Sequence, residues 1–378
     1  MQDSRKIIEK LDNVYLFEND IFNAISIYST FLNNDKKIND YSNSLVYYLQ
    51  SARNFWAYYL SPEKDSLITI TTRYPDGRLP FVITYPIGEL SKSLAEDCFY
   101  IASKLREYSG EKVFLKKIPQ SYVSTFISAG FTEYAKNDGW SIRYKYDDDE
   151  FPEFIIDIPR YLQGMNKDAE IPIPYASKTW NIRGHAQRFL RWLKREGCNI
   201  NISSYNHSKD YKNVMEMINT WAKFRKKRHC EEELNDLVDS HECFLKGIEN
   251  INNKTSMKVD YKTERFSKSF VMRVIKKNQS KVIAFGFVDK VSNDTVGIYS
   301  EIALHQRDKF NKLKWESIND NGVPGCSEVL ILFMLQAAYE NGYTYANFGG
   351  SESEELYKNR KQKFPDYKEN IMTHLALY

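Results

Sequence analysis

Near the carboxyl end of the chain, Asn347-Phe348-Gly349-Gly350-Ser351 joins two residues without side chains to a hydroxyl. Such a set can bring backbone N–H groups and the Ser351 hydroxyl up to a ligand carbonyl oxygen, the stabilisation that attack on a carbonyl requires. The same residues also make an ordinary tight turn. Further on, Lys361 and Lys363 can hold a phosphate or a carboxylate as point charges, or form a solvated face with Lys358 and Arg360. Arg188, Arg191 and Arg195, at spacings of three and four, line up on one side of a helix. Lys223-Phe224-Arg225-Lys226-Lys227-Arg228 adds a second basic cluster. Guanidinium groups bind phosphates through a bidentate fork, so these rows read as a nucleic-acid track or as a soluble surface.

Thiol and metal chemistry have thinner support. His229-Cys230 and His241-Glu242-Cys243 match no common zinc spacing, and no metal is expected. Cys326 begins an apolar helix, where the positive end of the helix lowers a thiol pKa. It reads as a nucleophile or as a small apolar residue. His185 and His305 have no evident role.

The element expected to position the diglycine is the run from Val329 to Leu335, every residue of it apolar, continued by Ala337 and Ala338. A helix apolar nearly all round is covered on both sides. Asn341-Gly342 ends it, and Tyr343 to Phe348 has the aromatic and β-branched bias of a strand. Upstream, residues 1 to about 60 have helical spacing, including Phe55, Tyr58 and Tyr59. A hairpin follows over 67–72 and 79–85, turning at Pro75-Asp76-Gly77. Then come a helix over 90–108, a strand over 112–115, a helix over 120–129, and strands at 140–146 and 154–156. Pro159, Pro172 and Pro174 place a linker at 160–177. Helices over 181–196, 212–228 and 231–250 precede a polar loop at 250–264. Three antiparallel strands, 269–276, 281–289 and 295–303, lead into a long loop, 305–325, and the apolar helix.

At 378 residues the chain is long enough for two cores. The net charge of +3, from 53 basic and 50 acidic residues, leaves any affinity for polyanions to local patches. No apolar run reaches the roughly 18–20 residues that span a bilayer, and the first residues lack the apolar core of a signal peptide. Five scattered cysteines fit a reducing compartment. A cytoplasmic location is expected.

The order helix, Asn-Gly, Tyr345-Ala346-Asn347-Phe348-Gly349-Gly350-Ser351, Leu356-Tyr357, Lys361-Gln362-Lys363-Phe364-Pro365 resembles the end of the second domain of the Fem peptidoglycan aminoacyltransferases and of the soluble part of phosphatidylglycerol lysyltransferase. Leu79-Pro80-Phe81 through Pro86-Ile87-Gly88, and Lys117-Ile118-Pro119 to Gly130-Phe131, are similar to the lysyltransferase group. The resemblance implies an α/β fold of two tandem GNAT-like domains, residues 1–165 and 166–378, each a mixed, mostly antiparallel sheet flanked by helices.

It also implies transfer of an acyl or aminoacyl group from aminoacyl-tRNA or acyl-CoA to an amine or hydroxyl of a small molecule, peptide or lipid headgroup. No cofactor would be tightly bound. By the same resemblance Glu301 is the base and Tyr357 the proton donor to the leaving group, with Ser351 beside them. Asn347, Gly349, Gly350, Lys361, Lys363 and the three arginines would hold the donor. Glu301 also reads as an edge carboxylate, and Tyr357 as a packing tyrosine. The loop Asn319-Asp320-Asn321-Gly322-Val323-Pro324-Gly325 departs from the glycine spacing of a CoA-binding loop, which favours another carrier. The lysyltransferases carry a membrane segment that this chain lacks. A second reading is a non-catalytic GNAT-like module that binds RNA or a protein through the basic helices.

Overall fold

The chain builds two seven-stranded mixed sheets, seen in a computed structural model that describes residues 4–19, 21–32, 44, 55–73, 77–84, 91–134, 152–165, 171–178, 181–225, 231–255, 266–305, 313–350 and 354–378. In chain order its strands are β1 (Val14–Leu16), β2 (Trp56–Leu60), β3 (Leu67–Thr72), β4 (Phe81–Ile83), β5 (Val113–Pro119), β6 (Thr132–Glu133), β7 (Glu153–Asp157), β8 (Leu162–Met165) and β9 (Pro174–Ala176). There follow β10 (Asn199–Ser203), β11 (Ser267–Lys276), β12 (Gln279–Lys290), β13 (Thr295–Ala303), β14 (Tyr345–Asn347), β15 (Lys368–Asn370) and β16 (Met372–Leu377). The first sheet has the order β1-β2-β3-β4-β5-β16-β6 and the second β10-β11-β12-β13-β14-β7-β15. All neighbours are antiparallel except β4 with β5 and β13 with β14. These are the two GNAT-like sheets that the resemblance implies.

Residues 55–60 correct the expected helix. Phe55-Trp56-Ala57-Tyr58-Tyr59-Leu60 is apolar throughout, so spacing alone fits a helix or a strand covered on both faces. The second holds, because alternate side chains enter different cores. Phe55, Ala57 and Tyr59 join the core under helix Lys92–Ser109, while Trp56 and Tyr58 meet Ala24, Ile25, Tyr28 and Leu32 of helix Ile21–Leu32.

The expected division at 165/166 does not coincide with the sheets. β7, from the first half, lies between β14 and β15 of the second sheet, and β16, the last strand, lies between β5 and β6 of the first. Each sheet is completed by a strand from beyond the division. The described parts of the expected linker belong to the second core: β8 pairs with β9, and Tyr161, Leu162, Ile173 and Ala176 are buried there. The expected strand at 140–146, the turn residues Pro75 and Asp76, and Lys226 to Cys230 lie outside the described residues.

The apolar helix spans Cys326–Glu340, and nearly all of it is buried. It lies on one face of β12, where Gly286 lets it come close: a Cβ there would sit 2.7 Å from the Met334 sulfur. On the other face Phe285 and Phe287 pack edge-to-face on Phe244 of helix Glu231–Thr255, with centroids 6.1 and 5.2 Å apart. Helix Ile182–Glu196 sets Ile182, Ala186, Phe189, Trp192 and Leu193 into the same core and adjoins the apolar helix.

Candidate functional site

Strand β13 holds its parallel partner β14 over three pairs only, ending at Gly297 with Asn347, and then runs on to Ala303. Beyond that pair β14 no longer bonds to β13, and Glu301 lies on this stretch, held by β12 alone. Its side chain is 25% exposed. The Ser327 hydroxyl donates to Glu301 Oε1, and Lys363 Nζ, from the last turn of helix Glu354–Lys363, lies 3.8 Å from the same atom.

The start of helix Cys326–Glu340 closes this corner. Gly325, its cap, has φ +72, and a Cβ there would lie 2.1 Å from the His185 carbonyl oxygen. Only glycine allows helix Ile182–Glu196 to come so near. On the other side, Val323 N–H donates to Leu304 O at 2.6 Å, and His305 and Val323 form a parallel bridge. Backbone contacts thus bring His185, His305 and the first turn of the apolar helix together.

Glu328 sits at the centre of that cluster with its side chain 1% exposed. Its Oε1 lies 3.5 Å from Lys363 Nζ and 3.9 Å from His185 Nδ1, and its Oε2 lies 3.3 Å from His305 Nδ1. Burial would raise its pKa, but Lys363, His305, His185 and its own backbone N–H together hold it down at about 2. The carboxylate therefore remains an anion inside the protein. Glu328 also occupies the first turn of the helix, where unpaired N–H groups and the helix dipole favour a negative charge.

The diglycine is placed differently from the expectation. Gly349 is buried with φ +69, its N–H donates to Asn347 Oδ1 at 2.8 Å, and its carbonyl accepts from Phe154 N at 3.2 Å and from Arg360 Nη1 at 2.9 Å. Arg360 also donates to Gly350 O at 2.7 Å. Asn347 is fully buried, and its Nδ2 donates to the buried Glu153 at 2.8 Å. The Gly349 amide and Asn347 therefore hold the turn together, by a side-chain-to-backbone bond typical of asparagine, and are not directed at a ligand. Ser351 lies outside the described residues. Arg360, in the basic run of a surface helix, gives no sign in the sequence of its grip on both glycine carbonyls.

Tyr357 is half-buried, and its hydroxyl donates to Glu369. Desolvation, with that carboxylate acceptor, pushes the phenol up to about 12, so it carries its proton at neutral pH. Lys361 lies over the Tyr357 ring, 4.3 Å from the centroid, and 3.7 Å from Glu369. Lys363 reaches the carboxylates of Glu301 and Glu328 instead of facing solvent. Arg188, Arg191 and Arg195 are all exposed on helix Ile182–Glu196; Arg191 Nε donates to Gln187 O at 3.4 Å, and Arg195 donates to Leu313 O and pairs with Glu196 at 3.0 Å. Arg225 stacks on Trp221 at 4.5 Å.

Cys326 corrects the thiol reading. It is fully buried, and desolvation together with the Glu328 charge drives its pKa well above the ordinary thiol value, against the helix end. His241 lies edge-on to Trp221, 5.8 Å between centroids. The residues that do gather, His185, Glu301, His305, Ser327, Glu328 and Lys363, come from four separate segments. Glu301 and Lys363 carry a signal in the sequence. The other four do not.

No protein-family model matches the sequence, and no curated protein matches it. Solved structures do. A conserved protein of unknown function from Bacteroides thetaiotaomicron is similar over 94% of this chain and 95% of its own, with 11% identity and a TM-score of 0.57. L-PGS from Bacillus licheniformis superposes over 86% of this chain and 85% of its own, with 12% identity and a TM-score of 0.48. The C-terminal domain (DUF2156) of a protein assigned as a lysylphosphatidylglycerol synthetase from Agrobacterium fabrum is similar over 94% of this chain and 91% of its own, with 12% identity and a TM-score of 0.51. Among the described residues no helix is long and apolar enough to cross a membrane. The chain thus has two mixed, mostly antiparallel sheets, as the GNAT-like resemblance implies, and is similar in fold to the C-terminal domain (DUF2156) of that Agrobacterium fabrum protein.

Proposed function

We propose that the protein transfers an acyl or aminoacyl group from an activated carrier to an amine or hydroxyl acceptor, in the opening where β13 leaves β14. The observation that carries this reading is Glu301: a carboxylate on the stretch of β13 that β12 pairs and β14 does not, oriented by the Ser327 hydroxyl and by Lys363. Glu301 would take the proton from the acceptor as it attacks the donor carbonyl. Tyr357, which keeps its proton at neutral pH, would return one to the leaving group. Tyr357 and Lys363 stand on the same helix, about 9 Å apart along its axis at 1.5 Å per residue. Attack is direct, without a covalent enzyme intermediate.

Two features favour charged tRNA over acyl-CoA as carrier. A pyrophosphate at the start of the apolar helix would meet the Glu328 carboxylate and the close contact of Gly325 with His185. Arg188 and Arg191 are exposed on the adjoining helix, where a phosphate backbone can be gripped. The acceptor would be a small molecule, a peptide or a lipid headgroup. The internal satisfaction of Gly349 favours one other reading, a GNAT-like module that binds RNA or a protein without catalysis.

Mass spectrometry of the purified protein for a co-bound donor, followed by transfer from labelled aminoacyl-tRNA and from acyl-CoA, tests the proposal. Glu301→Gln and Tyr357→Phe should each lower the rate by about 10²-fold or more with unchanged thermal stability. Transfer that survives both substitutions removes the assigned roles, and stabilisation by RNA with no transfer from either donor selects the binding module. A carrier at a hundred times its Kd should add about 2.7 kcal/mol of stability, which ranks the two donors.

A further inference from the structure

Two carboxylates, Glu301 and Glu328, face one ammonium, Lys363, in a corner where all three side chains are a quarter exposed or less. With neutral imidazoles the corner holds an excess of negative charge, which burial disfavours unless a cation or a protonated histidine meets it. The two histidines present their Nδ1 atoms to opposite oxygens of Glu328, at 3.9 Å for His185 and 3.3 Å for His305. One nitrogen from each ring and one carboxylate oxygen lie within 4.8 Å of one another. Metal bonds of about 2.0–2.2 Å to nitrogen and oxygen place tetrahedral ligand atoms roughly 3.4 Å apart, so an ion would draw these three atoms together from within 4.8 Å.

We propose that His185, His305 and Glu328 form a binding site for a divalent transition-metal ion of the zinc class. Two imidazoles and one carboxylate suit such an ion better than calcium or magnesium, which take oxygen ligands. The ligands are fixed by their surroundings: Gly325 presses the first turn of the apolar helix onto the His185 backbone, and the bridge to Val323 holds His305. A site so supported has little ordering left to do when the ion arrives. Lys363 would remain on the carboxylate as an outer partner, and the ion would more than offset the excess negative charge. Three protein ligands leave a fourth position for water or a ligand atom. Ser327, the residue before Glu328, donates to Glu301, so the site adjoins the proposed reaction opening. Spacing in the sequence could not disclose it, since 120 residues separate the two histidines.

The proposal is independent of the transferase reading, because binding is measured without donor or acceptor. The untagged full-length chain, stripped with chelator, is titrated with Co²⁺ and followed by visible absorption and calorimetry. The expected result is one equivalent of Co²⁺ with the intense absorption of four-coordinate cobalt, displaced by Zn²⁺. His185→Ala and His305→Ala should each weaken binding by at least tenfold with unchanged circular dichroism. His207→Ala, which removes a histidine paired 3.1 Å from Glu249, should bind as the native chain does. No cobalt absorption, or binding that both cluster variants retain, would overturn the assignment. Loss of transfer with intact metal binding would sink only the transferase reading.

Discussion

Two helices of this molecule each carry the chain from one strand to its parallel neighbour, and their first turns are built in opposite ways. Helix Lys92–Ser109, between β4 and β5, starts with Ser91, whose hydroxyl accepts from Leu94 N at 3.2 Å, and its first charges are the exposed pair Lys92 and Glu96. Helix Cys326–Glu340, between β13 and β14, has no side-chain cap, begins at a glycine pressed against another helix, and holds a buried carboxylate in its first turn. A serine settles the free N–H groups of a helix locally. In the second case other segments supply the surroundings of Glu328, although capping needs none of them. The second sheet is therefore where ionisable groups are gathered beyond the needs of folding.

The largest expected effect comes from Glu328→Ala. Leaving Lys363 and the histidines around an absent carboxylate should cost about 3–5 kcal/mol in urea denaturation, and a loss below about 1 kcal/mol would show that the cluster is not held by that charge. Gly325→Ala should follow, at about 2 kcal/mol or more, because φ +72 and the His185 carbonyl both oppose a Cβ. Its counterpart Gly110→Ala, at the end of the first crossover helix with φ +70 and nothing within 4 Å of a Cβ, should cost only the left-handed backbone penalty of about 1 kcal/mol. Equal losses at the two glycines would remove the argument for helix contact at Gly325. Ser91→Ala is expected to cost about 1 kcal/mol by thermal unfolding. Glu96→Gln, in a pair with side chains 85% and 58% exposed, should stay within about 0.5 kcal/mol.

Much of the fold is legible in the chain. The three strands β11, β12 and β13 are marked by apolar runs and polar turns, and Val329 to Leu335 marks a helix with no wet side. The six apolar residues 55–60 mislead because a strand buried on both faces loses its alternation. The strand exchange between the sheets is invisible: β7 and β16 are short, and which sheet takes them depends on edges that exist only after folding. In the candidate site Glu301 and Lys363 are legible as charges at element ends. Asn347 and Gly349 are legible as special residues, but their hydrogen bonds turn inward, which residue type cannot tell.

By itself, then, the sequence determined periodicity, breakers and the burial of one helix, because those depend on neighbours a few residues away. The tertiary structure decided which strand completes which sheet and that His185, His305, Glu328 and Lys363 share one corner. Those outcomes rest on contacts between segments well separated in the chain, as His185 is from Glu328, and on a glycine that lets two helix backbones touch, and no local pattern encodes such contacts.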